Sequence, residues 1–357
     1  MNFISSNSEN LPIEIAAATP KLPNDVVIEI LTRLPVKPLL KFRCVCKSWL
    51  SIISSHPFIK THLTNSKNDP NFTHHRIMLN CRGNLKQCSA RSLLYEPIIE
   101  SFHTGFSSQS SKNSIWVVGS CDGLICLAID KKELILWNPT TRISKNLPDF
   151  GVKISFRSYF AYGFGFDKSS DDYKGKVYSL KADLWKTIKS FKGRWLMDDP
   201  ATFANGKLYW IANSDLELKC GWDIAFFDLA TDEYGVLEMP RYVKSGFYSR
   251  LGVSQGRLFV MCSHVMSADV WIMDGGGAGN GIWSNVVSIP YVDDFLRYNY
   301  KKALCVTENG EVVLICGLKI VIFDADDSSF RYPEIRNAGE FIASSAYIES
   351  LVSPLGR

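Results

Sequence analysis

Between Asn24 and Leu34 apolar residues return every three or four positions, at Val27, Ile30, Leu31 and Leu34. That spacing gathers them on one side of an α-helix. Pro23 suits a first turn, Asn24 and Asp25 can cap free N–H groups, and Asp25 and Glu29 suit the positive helix end. Pro35 and Pro38 end this helix and open another. Leu39, Phe42, Val45, Cys46, Trp49, Ile52 and Ile53 keep helical spacing and predict one long second helix over about 38–55. Phe58, Ile59 and Leu63 predict a short third helix.

Beyond residue 72 the period changes. Apolar strands lead to D-G, N-G or Q-G pairs and then to further strands, in VVGSCDGLICLAI, ATFANGKLYWIA, LGVSQGRLFVMC and LCVTENGEVVLIC. Asp-Gly and Asn-Gly supply the positive φ values that two-residue hairpins require. The turn glycines Gly123, Gly206, Gly256 and Gly310 are 83, 50 and 54 residues apart, so a further repeat fits in the first gap, at YGFGFDKSSDDYKGKVYSLKADLW. The turns that close the third strands, at Asn138, Ser179, Asp228, Asp274 and Asp324, lie 41, 49, 46 and 50 apart. A repeat of about 40–50 residues with three or four strands predicts a β-propeller, with a large β-sandwich as the alternative. A sixth unit can be assembled from HRIMLNCRGNL and SARSLLYEP near one end and SAYIESLVSP near the other, closing the ring. The expected fold class is therefore α+β and multidomain: a small three-helix module, then an all-β propeller of about six blades, one reduced. The divisions are a loose tail at 1–20, the helical module at 21–63, a linker at 64–72 and the propeller at 73–357.

Three short helices lie near the lower limit for independent folding. Leu22, Pro23, Leu31, Leu34, Pro35, Leu39 and Trp49 cannot all reach one small core, so some must meet another surface. Charge narrows the kind of surface. Residues 21–63 hold seven Lys or Arg (21, 33, 37, 41, 43, 47, 60) against two acids (25, 29), a net +5; the whole chain carries +4, leaving −1 elsewhere. A basic rim around an apolar patch favours an acidic, hydrophobic protein partner. A DNA-binding helix pair needs Arg aligned on one face, and here Arg43 leads into cysteines and Trp49. A helical hairpin packed only on the next domain is the other competing reading.

Hydrophobic content of 46% against 21% charged excludes wholesale disorder. The start has no basic cap before an apolar run and no stretch is long enough to span a bilayer, so neither export nor membrane insertion is expected. The ten cysteines form no C-x-x-C pair, which predicts reduced structural thiols in a cytoplasmic or nuclear protein and no zinc site. GGGAGNG (275–281) lacks the Gly-Lys-Ser/Thr of a phosphate loop and reads as a hairpin loop. DKSSDD and DADDSS lack calcium-loop spacing, and the histidines lack metal-ligand spacing. No catalytic residues and no cofactor or metal are expected, although propeller active sites gather from distant blades, which leaves an enzyme open.

LPNDVVIEILTRLP followed by LLKFRCVCKSW resembles an F-box across residues 21–63. GSCDGLICL, LWNPTTR, YGFGFDKSSDDYK, VYSLKADLWKTI, FFDLATDEYGVLEMP and YIESLVSP, in that order, resemble the plant F-box-associated, kelch-like propeller domain, of the S-locus F-box type. In one place the chain departs from that pattern: DDYKGKVYSL leaves no room for a strand and variable loop, so the second repeat is expected to lack a strand. The resemblance implies a non-catalytic substrate receptor of an SCF ubiquitin ligase. Its F-box would dock on a Skp-family adaptor, and through it on cullin, and its propeller loops would hold a protein to be ubiquitinated. Stylar ribonucleases and defence regulators are the substrate types the resemblance suggests; a non-ubiquitin scaffold or glycan-binding propeller is the alternative. The implied adaptor-binding positions are Leu22, Pro23, Ile30, Leu31, Leu34, Pro35, Leu39, Val45, Cys46 and Trp49, shared between core and interface in a division the sequence leaves open. Candidate substrate loops are Asp149–Tyr159, Leu184–Trp195, Asn213–Trp222, His264–Asp269 and Val292–Tyr300. Neither nucleic acid nor membrane is an expected partner.

Overall fold

The computed structural model describes residues 22–81, 83–106, 115–130, 133–148, 164–167, 172–175, 178–179, 184–185, 195–196, 200–213, 222–240, 248–274, 281–291, 300–341 and 343–355. The described residues open with four helices: α1 (Asn24–Thr32), α2 (Val36–Phe42), α3 (Lys47–Ser54) and α4 (His56–Lys67). The single helix expected over 38–55 is thus two. The N–H groups of Cys44 and Val45 close tight turns onto Lys41 and Phe42 carbonyls (3.0 and 3.1 Å), and Cys46 is extended at φ −160°. Its Sγ accepts a hydrogen bond from the Trp49 N–H at 3.5 Å and so caps α3. Arg-Cys-Val-Cys is a run of mostly weak helix formers, and the break lets Ile53 fold back beside Leu31, Val36, Leu39 and Phe58 in one small core. Ser55 caps α4 through Phe58 N–H at 3.4 Å. Residues 64–67, expected as linker, are the last turn of α4, and Phe72, just before the first strand, is buried in the core beside Ile77 and Leu79.

Six sheets of four or five strands follow among the described residues. Named from the innermost strand outward, blade I is Ala343–Ile348, His75–Cys81, Asn84–Ser89 and Phe102–His103, with a short helix α5 (Ala90–Tyr95) after its third strand. Blade II is Ile115–Cys121, Leu124–Ile129, Glu133–Asn138 and Ile143–Asn146. Blade III is Phe164–Asp167, Asp172–Gly175, Tyr178–Ser179 and Leu184–Trp185. In blade IV both Trp195–Leu196 and Thr202–Ala204 pair with Lys207–Asn213, as one interrupted inner strand; Trp222–Asp228 and Glu233–Leu237 follow. Blade V is Tyr248–Ser254, Arg257–Ser263, Ser267–Asp274 and Ile282–Pro290; blade VI is Tyr300–Val306, Val312–Cys316, Lys319–Asp324 and Ser329–Arg331. Blade III, expected to lack a strand, has four; its reduction is in length, with two residues in each of its outer strands.

The hairpin chemistry takes the form its residues require. Asp122–Gly123, Asn205–Gly206 and Gln255–Gly256 each place two successive residues at positive φ. At the ends of third strands, the Oδ1 atoms of Asn138, Asp228 and Asp324 accept backbone N–H groups two residues ahead, at 2.8, 2.9 and 3.0 Å.

Blade II is packed on both faces, Ile125, Leu127 and Ile129 in one core cluster and Leu124, Cys126 and Ala128 in another, which is why Leu124–Ile129 is buried at every position. Met78 and Leu85 of blade I meet Ile125, Leu127 and Trp137 of blade II. Ile77, Leu79 and Cys88, on the other face of blade I, meet Val313, Ile315 and Ile320 of blade VI. The ring closes because the C-terminal strand Ala343–Ile348 pairs antiparallel with His75–Cys81. An outer clasp repeats the closure: Ile98–Glu100 pairs in parallel with Glu334–Arg336, and Ser101 Oγ donates to the Arg336 carbonyl at 2.8 Å.

Candidate partner-binding surfaces

The helical module divides the ten expected residues by burial. Leu31 and Leu39 are core, 1% and 0% exposed. Leu34, Pro35 and Trp49 are half-buried, with Trp49 edge-on to Phe42 at 5.4 Å between ring centroids. Leu22 (60%), Ile30 (49%) and Val45 (60%) stand exposed, as do Pro23 and Cys46. Three more large apolar side chains share this exposure and were missed from the sequence: Val26, Ile28 and Leu50. Val26 lies one turn from both Leu22 and Ile30, so the i, i+4 spacing of a second apolar stripe on α1 was the available signal. Leu50 faces out because α3 starts afresh at Lys47. Lys37 and Lys41 on α2 and Lys47 at the start of α3 are exposed as well. The module's core is therefore filled, and the module still exposes both apolar side chains and cations.

Strand direction sorts the propeller connections onto two ends. The turns at Asp122–Gly123, Asn205–Gly206 and Gln255–Gly256 share the end to which the helical module is attached, since His75 begins and Ile348 ends their strands there. Lys67 at the end of α4 forms an ion pair with Asp122 on that end. The opposite end carries His264–Asp269. Its backbone is held by His264 N–H to the Ser267 carbonyl (2.7 Å) and Tyr291 N–H to the Met266 carbonyl (3.0 Å), while His264 Nε2 lies 3.2 Å from Asp269. On this fixed base Val265 and Met266 are 50% and 71% exposed, and Leu318 is exposed on the matching turn of blade VI. The other four candidate loops fall outside the described residues apart from strand residues at their ends: Leu184–Trp185, Trp195, Asn213, Trp222 and Tyr300.

The titratable groups are arranged for structure. Burial pushes the thiols of Cys88, Cys126, Cys262 and Cys305 up to about 12, so they are neutral and poor nucleophiles near neutrality. Cys44 and Cys46 are exposed on the helical module, and Cys220 lies outside the described residues. Among the described residues no group of three His, Cys, Asp or Glu is placed to hold a metal ion, and no helix is long and apolar enough to cross a membrane. Glu311, 8% exposed, is matched by Arg331 at 2.6 Å.

An F-box domain matches residues 20–61, and an F-box associated beta propeller domain matches residues 76–350. The F-box/kelch-repeat protein At3g23880 of Arabidopsis thaliana is 31% identical over 359 residues, covering 93% of this chain and 96% of that protein. The F-box protein CPR1 of the same plant is 26% identical over 374 residues, covering 93% of this chain and 88% of its own. Among solved structures, a chain of a nidogen/laminin complex aligns with 77% of this chain and 99% of its own at 9% identity and a TM-score of 0.42. The chain belongs to the family of F-box proteins in which the F-box is followed by an F-box-associated β-propeller.

Proposed function

We propose that this protein is a substrate receptor of an SCF-type ubiquitin ligase. Its F-box binds a Skp-family adaptor, which links it to cullin, and the propeller end opposite the F-box holds a protein substrate. One observation carries the reading: Leu22, Val26, Ile30, Val45 and Leu50 remain exposed although the module's core of Leu31, Val36, Leu39, Ile53 and Phe58 is already filled, with Leu351 from the C-terminal segment as its last member. Lys37, Lys41 and Lys47, exposed on the same module, favour an acidic partner surface. The protein breaks no bond itself. It raises the effective concentration of a target near the ubiquitin-conjugating enzyme, so that transfer becomes an intramolecular event. The buried neutral thiols suit a compartment that keeps cysteine reduced, the cytoplasm or nucleus.

The test is binding of the purified full-length chain to a plant Skp-type adaptor. Ile30→Asp and Val45→Asp place a charge on exposed positions, so each is expected to weaken binding at least about 30-fold, roughly 2 kcal/mol, with an unchanged unfolding midpoint. Leu39→Asp buries an unpaired carboxylate and is expected to unfold the module instead. Wild-type protein that is folded yet fails to bind at micromolar adaptor ends the ubiquitin-ligase reading.

A further inference from the structure

Of the four successive residues after the last strand, three hold to the propeller and one, Leu351, enters the F-box core. The Glu349 N–H donates to the His74 carbonyl at 2.9 Å, and its carboxylate, 3% exposed, pairs with Arg76 at 3.0 Å in blade I. Ser350 is fully buried; its Oγ donates to the Asp122 carbonyl of blade II at 2.7 Å. Leu351, 4% exposed, completes the F-box core with Leu31, Val36, Leu39, Ile53 and Phe58. Val352 returns to the core of blade II. Asn138 Nδ2 donates to the carbonyls of both Ser350 (3.1 Å) and Val352 (2.8 Å), on either side of Leu351. The far end of α4 is fixed separately by the Lys67–Asp122 ion pair and by His62, edge-on to His74 at 5.6 Å.

We infer that residues 349–352 are a positioning strap. They lock the F-box onto one end of the propeller, so the substrate-holding end keeps one fixed direction relative to whatever the F-box binds. The functional half of this inference rests on the ubiquitin-ligase reading; the mechanical half does not. Asn138 identifies the device. Its Oδ1 makes the same turn contact that Asp228 and Asp324 make in blades IV and VI, but only an amide has a second atom that donates. Asparagine at this repeat position keeps the turn and adds the hold on the strap.

The experiment therefore uses Asn138→Asp in the full-length protein: the turn is retained, two donors are lost, and a carboxylate faces two carbonyls. Amide hydrogen exchange at residues 62–67 and 349–352 is expected to speed up at least tenfold, with blades V and VI at wild-type rates. In the adaptor-bound complex, the distance distribution between a probe on the adaptor and one on blade V is expected to broaden while adaptor affinity stays within about twofold. A merely structural role would leave that distribution narrow. Leu351→Ala, which releases the strap from the F-box side, is expected to broaden it in the same way and decides the matter should Asn138→Asp fail to fold. Wild-type exchange at 62–67 and 349–352 in both variants overturns the strap. Failure of the wild-type chain to bind adaptor removes the ligase reading alone, because the exchange comparison is made on the free protein.

Discussion

Gly123 and Gly206 occupy equivalent hairpin turns and share a φ of +81°. Their surroundings differ. A Cβ on Gly206 meets nothing within 4 Å, whereas one on Gly123 would lie 2.3 Å from Ser350 Oγ and 2.6 Å from the Ile348 carbonyl. Gly206→Ala therefore incurs only the left-handed backbone cost, about 1 kcal/mol. Gly123→Ala adds a backbone collision where the strap crosses blade II, and the expected loss is about 3 kcal/mol or more. Denaturant unfolding of the two variants measures the difference; equal midpoints would contradict the tight crossing. Nothing in ANGK or CDGL separates the two glycines, because the distinction comes from residues more than two hundred positions away in the chain.

At the scale of elements, the sequence was most legible where a pattern is local. The D-G, N-G and Q-G turns, the Asx closures at Asn138, Asp228 and Asp324, and the spacing of the repeats all carry their geometry in a few residues. The break at Arg43–Cys46 was not legible, since the apolar spacing of Leu39 through Ile53 continues across it and only the return of Ile53 to the core requires it. The same break turned Leu50 outward and hid it from the expected site. Of the five exposed candidate positions, Leu22, Pro23 and Ile30 depended on how α1 packs and Val45 and Cys46 on the break itself, neither of which periodicity alone fixes.

The junction of α4 with blade I yields a pH dependence. Burial lowers the affinity of His62, His74 and His75 for protons, with His75 brought down to about 4. Asp69 and Glu349 oppose this and Arg76 adds to it, yet all three imidazoles remain below their ordinary value of 6.5. Below pH 6.5 the unfolded chain takes up protons that the folded chain refuses, so stability is complete above 6.5 and is lost as pH falls toward 4. For His75 alone the loss reaches at most roughly 3 kcal/mol. The melting temperature is expected to fall steadily from pH 7 to pH 5, and His75→Gln is expected to reduce the slope. A slope unchanged in that variant would place the proton uptake elsewhere.

For the whole molecule the decisive contacts are the least local ones. Ala343–Ile348 is the innermost strand of the blade that His75–Cys81 begins, and Tyr347, 4% exposed, packs between blades I and II. Without that strand, His75–Cys81 would present an unpaired edge although Ile77, Met78 and Leu79 are 0%, 1% and 0% exposed in the closed ring. Closure and strapping are consecutive in sequence, so two truncations separate them. A chain ending at Ile348 retains the closing strand and loses the strap; its propeller is expected to unfold cooperatively while the F-box exchanges amides faster. A chain ending at Phe341 loses both, and is expected to aggregate or unfold over a broad range as the blades on either side of the gap separate. Adding a peptide of residues 343–355 during refolding is expected to restore the sharp transition, because the edge it would fill is specific in register from His75–Ile348 to Asn80–Ala343. Tryptophan fluorescence during denaturation and size-exclusion chromatography read both outcomes. A wild-type transition in the Phe341 truncation would mean that the ring holds without its last strand, and that the outer clasp at Ile98–Glu100 and Glu334–Arg336 is sufficient to keep blades I and VI together.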